Sequence, residues 1–316
     1  AFERLRASAP PFVDAAYYLG VIGVSALADG GSDPRPFIDE VQQMLPDSPA
    51  VVYLSASLQR TLGNCDAALS LFDRLIVIKP AHEAGWLGRV TCLTGMRRTT
   101  EAIAAATRMI EMNLDNRDEA FYWRARNYHG LGQLTLARTD SDMAKGLRIK
   151  SDVLTLAGLI EHDQDDLDNA ERDLQRAQQL DRGTNCLASW LLGSVFVKRS
   201  AWATAASTFD GARRCYADDA TSRSLALAAL EQNVKIDPEF RRLQAIQLRS
   251  QIEASRQQQY TAAFNGANFF YQSGDLDKAR ELLDIAELDP SLSTEVASLR
   301  PLVPKVPGAS RPVAEP

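Results

Sequence analysis

The chain has 316 residues, 45% hydrophobic and 24% charged, enough apolar side chain to bury a core. A net charge of −6 and a pI near 5.3 argue against the clustered basic surface that nucleic acid requires. No apolar run approaches the roughly 18 residues needed to span a bilayer. The least polar stretch, Ala15 to Ala28, contains Gly20, Gly23 and Ser25 and is expected to be a packed helix. No signal peptide is visible, and the absence of an initiating methionine implies missing upstream sequence.

A recurring frame organises the chain. Ala68, Ala102, Ala137, Ala170 and Ala205 are spaced by 34, 35, 33 and 35 residues, and Ala279 continues the set. Twelve residues before each lies Ala56, Val90, Ala125, Gly158, Gly193 or Ala267; seven after lies Leu75, Met109, Ala144, Ala177, Ala212 or Ala286. Such a period marks an all-α solenoid of stacked antiparallel helical hairpins, because one hairpin cannot bury its apolar face alone.

In chain order, residues 1–10 match 71–80, with Phe2 on Phe72, Leu5 on Leu75 and Pro10 on Pro80. Residues 1–12 are therefore expected to be the second half of a truncated unit. A longer unit follows at 13–48, with Gly30-Gly31 in an expanded turn. Units at 49–82, 83–117, 118–150, 151–185 and 186–218 come next. In the first of these Gly63-Asn64 makes the turn and Lys79-Pro80 stops the second helix. Between Ala205 and Ala279 the gap is 74 residues. There Ala220–Val234 and Glu239–Tyr260, split by Asp237-Pro238, are expected to form one elongated, degenerate hairpin at 219–259. The last unit with a capping helix occupies 260–300. Residues 301–316 hold five prolines and suit an extended tail that a groove or a neighbouring subunit would hold in place.

Small-x11-Ala-x6-Ala, with an aromatic four residues after the central alanine and a proline near the end, resembles the tetratricopeptide repeat (TPR). The best copies are "LGNCDAALSLFDRLIVIKP" and "SGDLDKARELLDIAELDP". Val90 and Met109 depart from it at small positions, and Arg97, Asp165 and Ser200 replace the turn glycine. The resemblance covers most of 13–293. It implies a right-handed superhelix of protein-binding type, without catalytic residues, whose first helices line a concave wall. Mapped here, that wall would carry Tyr53, Arg60, Tyr122, Arg126, His129, Trp190 and Lys198. Aromatics interleaved with cations suit an extended peptide, although some of these aromatics would equally serve packing between units. The basic and asparagine set of a carboxylate-clamp groove is missing, because the equivalent positions are Tyr53, Leu87, Tyr122, Thr155 and Trp190.

Four cysteines offer a different chemistry. Cys186 and Cys215 occupy the start of a first helix and the end of its antiparallel partner, within disulfide reach. Cys65 and Cys92 meet similarly across a unit boundary. The alternative is free thiols filling small core sites. Bridges would place the protein in a periplasmic or extracellular setting, and free thiols would suit the cytoplasm. No CxxC pair or nearby histidine supports a metal site. The run Asp163, Asp165, Asp166 and Asp168 lacks an EF-hand's glycine and distant glutamate, so it reads as a turn favouring the next helix N-terminus. His82, His129 and His162 read as polar surface residues. No cofactor is called for, and enzymatic activity is not expected.

Two functions remain. One is a scaffold holding a partner protein in its groove and at its ends. The other is a structural subunit of an extracellular or cell-envelope filament, packing copies head to tail as a homo-oligomer or polymer through apolar ends left uncovered.

Overall fold

The computed structural model describes residues 13–26, 33–233 and 236–305. The expected half-unit at 1–12, the Gly30-Gly31 turn and the tail beyond residue 305 lie outside them. Among the described residues the chain is all-helical. The helices are α1 (Val13–Ala26), α2 (Arg35–Met44), α3 (Pro49–Thr61), α4 (Cys65–Ile78), α5 (Glu83–Gly95), α6 (Thr99–Glu111), α7 (Arg117–Gly130) and α8 (Leu134–Leu147). They continue as α9 (Ser151–Asp163), α10 (Leu167–Leu180), α11 (Cys186–Lys198), α12 (Trp202–Gln232), α13 (Pro238–Ser273), α14 (Leu276–Ala286) and α15 (Ser293–Leu299). Connections from α2 to α14 are two to five residues long, and within each of the chain's two compact units successive helices pack on one another, from α1 to α8 in the first and from α9 to α11 in the second, the hairpin pattern that the frame demands.

The frame alanines Ala68, Ala102, Ala137, Ala170, Ala205 and Ala279 are all fully buried. Their partners explain the choice of small residues. A Cβ built on Gly158 would lie 2.5 Å from Leu174, and one on Gly193 would lie 2.9 Å from the Phe209 ring. Both glycines let a large second-helix side chain lie against first-helix backbone. Five residues before each alanine the backbone turns left-handed, at Gly63, Arg97, Gly132, Asp165, Ser200 and Gly274. The three non-glycine residues adopt φ of 56° to 59° all the same, because the hairpin turn dictates the conformation whatever side chain occupies it.

The described chain divides into two compact units. The first takes the chain up to Arg148 together with Leu225–Arg249; the second takes Ile149–Ser224 and the chain from Ser250 onward. In the first unit, α3 to α7 enclose a core centred on Ala56, Phe72, Leu75, Val90 and Met109. In the second unit, α9 to α11 pack around Leu154, Leu174 and Leu192. Farther along, Ala263, Ala267, Leu282 and Leu283 are closed over by Val296, Leu299 and Val303.

The elongated segment differs from its expected form. Instead of helices over 220–234 and 239–260, α12 runs for 31 residues and α13 for 36, about 46 and 54 Å at 1.5 Å per residue. Neither glycine nor proline occurs from Ala212 to Gln232, or from Glu239 to Asn265, so nothing stops either helix at a unit boundary. α12 ends at Gln232 and α13 begins at Pro238, where Asp237 accepts a hydrogen bond from the Phe240 amide at 2.9 Å. Within the first unit the tip of this hairpin packs on α1–α3. Leu230, Ile236, Phe240 and Leu248 meet Val21, Val24, Ile38, Leu54 and Leu58. Arg35 completes the contact, hydrogen-bonding Asp33 and Asp237 with its guanidinium 4.7 Å from the Phe240 ring centre.

Candidate partner-binding groove

The face shared by α3, α5 and α7 contains a cavity of about 180 Å³. Steps of three or four residues along each first helix bring its walls together: Tyr53, Ser57 and Arg60; Leu87 and Thr91; Glu119 and Trp123. Its floor is the Phe72 ring, which reaches between the helices because Gly88 has no Cβ; a Cβ there would stand 2.2 Å from Phe72 Cζ. The Tyr53 ring lies 6.5 Å from Phe72 and 5.4 Å from His82, which fixes it as a wall. Arg60 is exposed at one side, and the Arg126 guanidinium sits 5.5 Å from the Trp123 ring centre.

Helix α7 is held in rotation by its polar side chains. Arg124 forms a two-point pair with the buried Asp140 of α8, at 2.7 and 2.8 Å, and donates to Thr107 at 3.1 Å. Asn127 donates to Thr94 of α5 and to the Trp123 carbonyl, both at 2.8 Å. In this orientation Trp123, rather than the expected Tyr122, reaches the cavity. Tyr122 is buried at 8% exposure, its hydroxyl 3.5 Å from Arg126, and His129 is half-buried on the last turn.

Trp190 and Lys198 belong to the second unit and are engaged inside it. Trp190 packs edge-on to Phe209 at 6.1 Å. Lys198 pairs with Asp165 at 2.6 Å and donates to the His162 carbonyl at 2.7 Å. That pair and the Lys198 charge hold the Asp165 carboxyl below its ordinary range. Arg199 takes Asp168 in the same way, so the acidic run bonds the neighbouring helix from the turn of its own hairpin. His82 is not the surface residue expected. It caps α5, its Nδ1 accepting from the Gly85 amide at 3.0 Å, and burial followed by the nearby Lys79 charge lowers its pKa.

No family model matches the sequence, and neither does any curated protein. Among solved structures, the APC/C hetero-tetramer Cut9-Hcn1 is similar with a TM-score of 0.56 at 13% identity, over 81% of this chain and 48% of the matched one. The Pseudomonas aeruginosa pilF product reaches 0.56 at 14% identity, over 65% and 91%. TTC0263, a thermophilic TPR protein of Thermus thermophilus, gives 0.45 at 15% identity, over 66% and 98%. The chain has the tetratricopeptide-repeat fold.

In TPR terms, the cavity lies on the first helices of three consecutive repeats. Leu87 occupies the same repeat position as Tyr53, and both line it. Trp123 shares its position with Leu54, which is buried in the first unit, so the repeat frame alone hides it. Among the cysteines, Cys186 and Cys215 are joined with their Cα atoms 5.4 Å apart. Cys65 and Cys92 are free thiols. Burial and a hydrogen bond to Cys65 push the Cys92 thiol up to about 12. No helix among the described residues is long and apolar enough to cross a membrane.

Proposed function

We propose that this chain is a non-enzymatic protein-interaction scaffold, and that the α3–α5–α7 face holds an extended segment of a partner protein. The observation that carries this is one cavity walled by Tyr53, Leu87 and Trp123, with Arg60 and Arg126 beside its aromatics. An apolar partner side chain would enter the cavity, and an adjacent carboxylate would meet an arginine at its rim. The Cys186–Cys215 bridge supports maturation in an oxidising, periplasmic or extracellular compartment.

Head-to-tail assembly has less support. Its premise is apolar solenoid ends left uncovered, and the half-unit at 1–12 lies outside the described residues; next to it, Val21, Val24, Ile38, Leu54 and Leu58 pack on the chain's own hairpin tip. Fluorescence anisotropy against an array of peptides pairing an aromatic with nearby carboxylates tests the groove. Trp123→Ala is expected to weaken the best binder by about thirtyfold or more, the effect of losing a central aromatic anchor. Arg60→Glu is expected to weaken it further. Unchanged affinity in Trp123→Ala would place the partner elsewhere.

A further inference from the structure

The two free thiols sit where chemistry between them is easy. Cys65 is the first residue of α4, and Cys92 lies in the last turn of α5, so together they bridge the boundary between consecutive hairpins. Both belong to the same core cluster, Cys92 inside it and Cys65 packed against it. A bond between them would tie two helices that already pack on each other. Access is asymmetric, since Cys92 is buried at 1% exposure while Cys65 is half-buried.

We propose that Cys65 and Cys92 form a reversible dithiol–disulfide pair that, when oxidised by exchange with a donor disulfide, staples α4 to α5 beside the groove residues Arg60 and Thr91. The Cys65 thiolate attacks one donor sulfur, expels a donor thiolate and leaves a mixed disulfide. Cys92 then gives up its proton, and its sulfur attacks Cys65 and expels the second donor thiolate. Two S–H bonds and the donor S–S bond are lost; one S–S bond forms here, and the donor leaves as two thiols. Burial keeps Cys92 protonated and out of the donor's reach, so the more exposed Cys65 reacts first; the expelled donor thiolate then takes the Cys92 proton as Cys92 attacks the mixed disulfide. A donor able to close Cys186–Cys215 has the chemistry to close this pair too. The inference does not depend on the peptide-groove reading.

The test equilibrates the full chain in graded ratios of oxidised to reduced glutathione, traps free thiols by alkylation and maps peptides by mass. Under oxidising ratios the Cys65 and Cys92 peptides should become linked with the loss of two hydrogens, and their alkylation should fall at least about tenfold. Adding reductant should restore both thiols. The Cys92→Ser variant should stop at a glutathione adduct on Cys65, whereas Cys65→Ser should leave Cys92 unmodified. The proposal is overturned if, in the unaltered chain, both thiols stay alkylatable where Cys186–Cys215 is fully oxidised. A stable glutathione adduct on Cys65 with Cys92 still free would overturn it equally. These wild-type outcomes hold even if a serine variant folds poorly.

Discussion

At the residue scale, much of this fold depends on which side chains are absent. Gly88 illustrates this, because Phe72 fills the volume that any larger residue would need. Phe72 is fully buried, so its ring has nowhere to retreat. Gly88→Ala is therefore expected to cost about 1–3 kcal/mol through overpacking, measurable by urea unfolding with an unchanged denaturant slope. His82 makes a separate case. Its imidazole must stay unprotonated at Nδ1 to accept from Gly85, and burial lowers its pKa in the folded chain. The unfolded chain therefore takes up a proton first as pH falls, near about 6.5. Stability is full above that value and declines below it, until the folded imidazole is protonated as well. Thermal midpoints at pH 7.5 and 5.5 should show this loss, and His82→Asn, which keeps a capping acceptor, should lessen it.

At the element scale, the long α12–α13 hairpin is the main departure from a regular array. Its tip is attached to α1–α3 by an apolar cluster and by Arg35, residues about two hundred positions apart in sequence. Hydrogen bonds to the Phe240 amide and to Arg35 hold the Asp237 carboxyl below its usual range, so its part in this attachment is lost as pH falls through that depressed value. Phe240, fully buried, carries more of the contact. Phe240→Ala should cost roughly 3–5 kcal/mol. Hydrogen exchange should rise first over Leu225–Arg249, with α7 and α8 little changed; uniform exchange throughout the first unit would show that the tip is not a separate cooperative element.

At the scale of the whole molecule, both compact units use aromatic packing and the second adds a disulfide. Aromatic packing serves the second, where Phe269 lies parallel to Trp202 and to Phe209 at 5.8 Å. A covalent link adds to it: Cys186–Cys215 closes a loop with a sequence separation of 29. Such closure restricts the unfolded chain, so the Cys186→Ala/Cys215→Ala double variant should lose about 2–4 kcal/mol. Denaturant unfolding of this variant beside the parent checks the figure, and a loss that reducing agent does not reproduce in the parent would point to packing instead.

The phase of the regular hairpins was legible in the sequence because it is local: a turn every 33 to 35 residues, a small residue wherever two helices touch, and a buried alanine in each second helix; their number was not, since α12 and α13 each run through two expected helices. Even the non-glycine turns at Arg97, Asp165 and Ser200 kept phase, since short-range hairpin geometry sets their left-handed backbone. The lining of the α3–α5–α7 cavity was only partly legible. Tyr53 and Arg60, which the frame put on the first-helix wall, line the cavity and Leu87 was not among the residues expected there; one residue along a helix turns a side chain by about 100°, and the Arg124–Asp140 pair and Asn127 turn Trp123 rather than Tyr122 to the cavity. Lys198 carried a suitable charge, yet an acid in the preceding hairpin had already engaged it. Only tertiary structure decided where the long hairpin ends up. Apolar residues of α12 and α13 can cover any complementary face, and which face they meet depends on contacts between segments far apart in the chain.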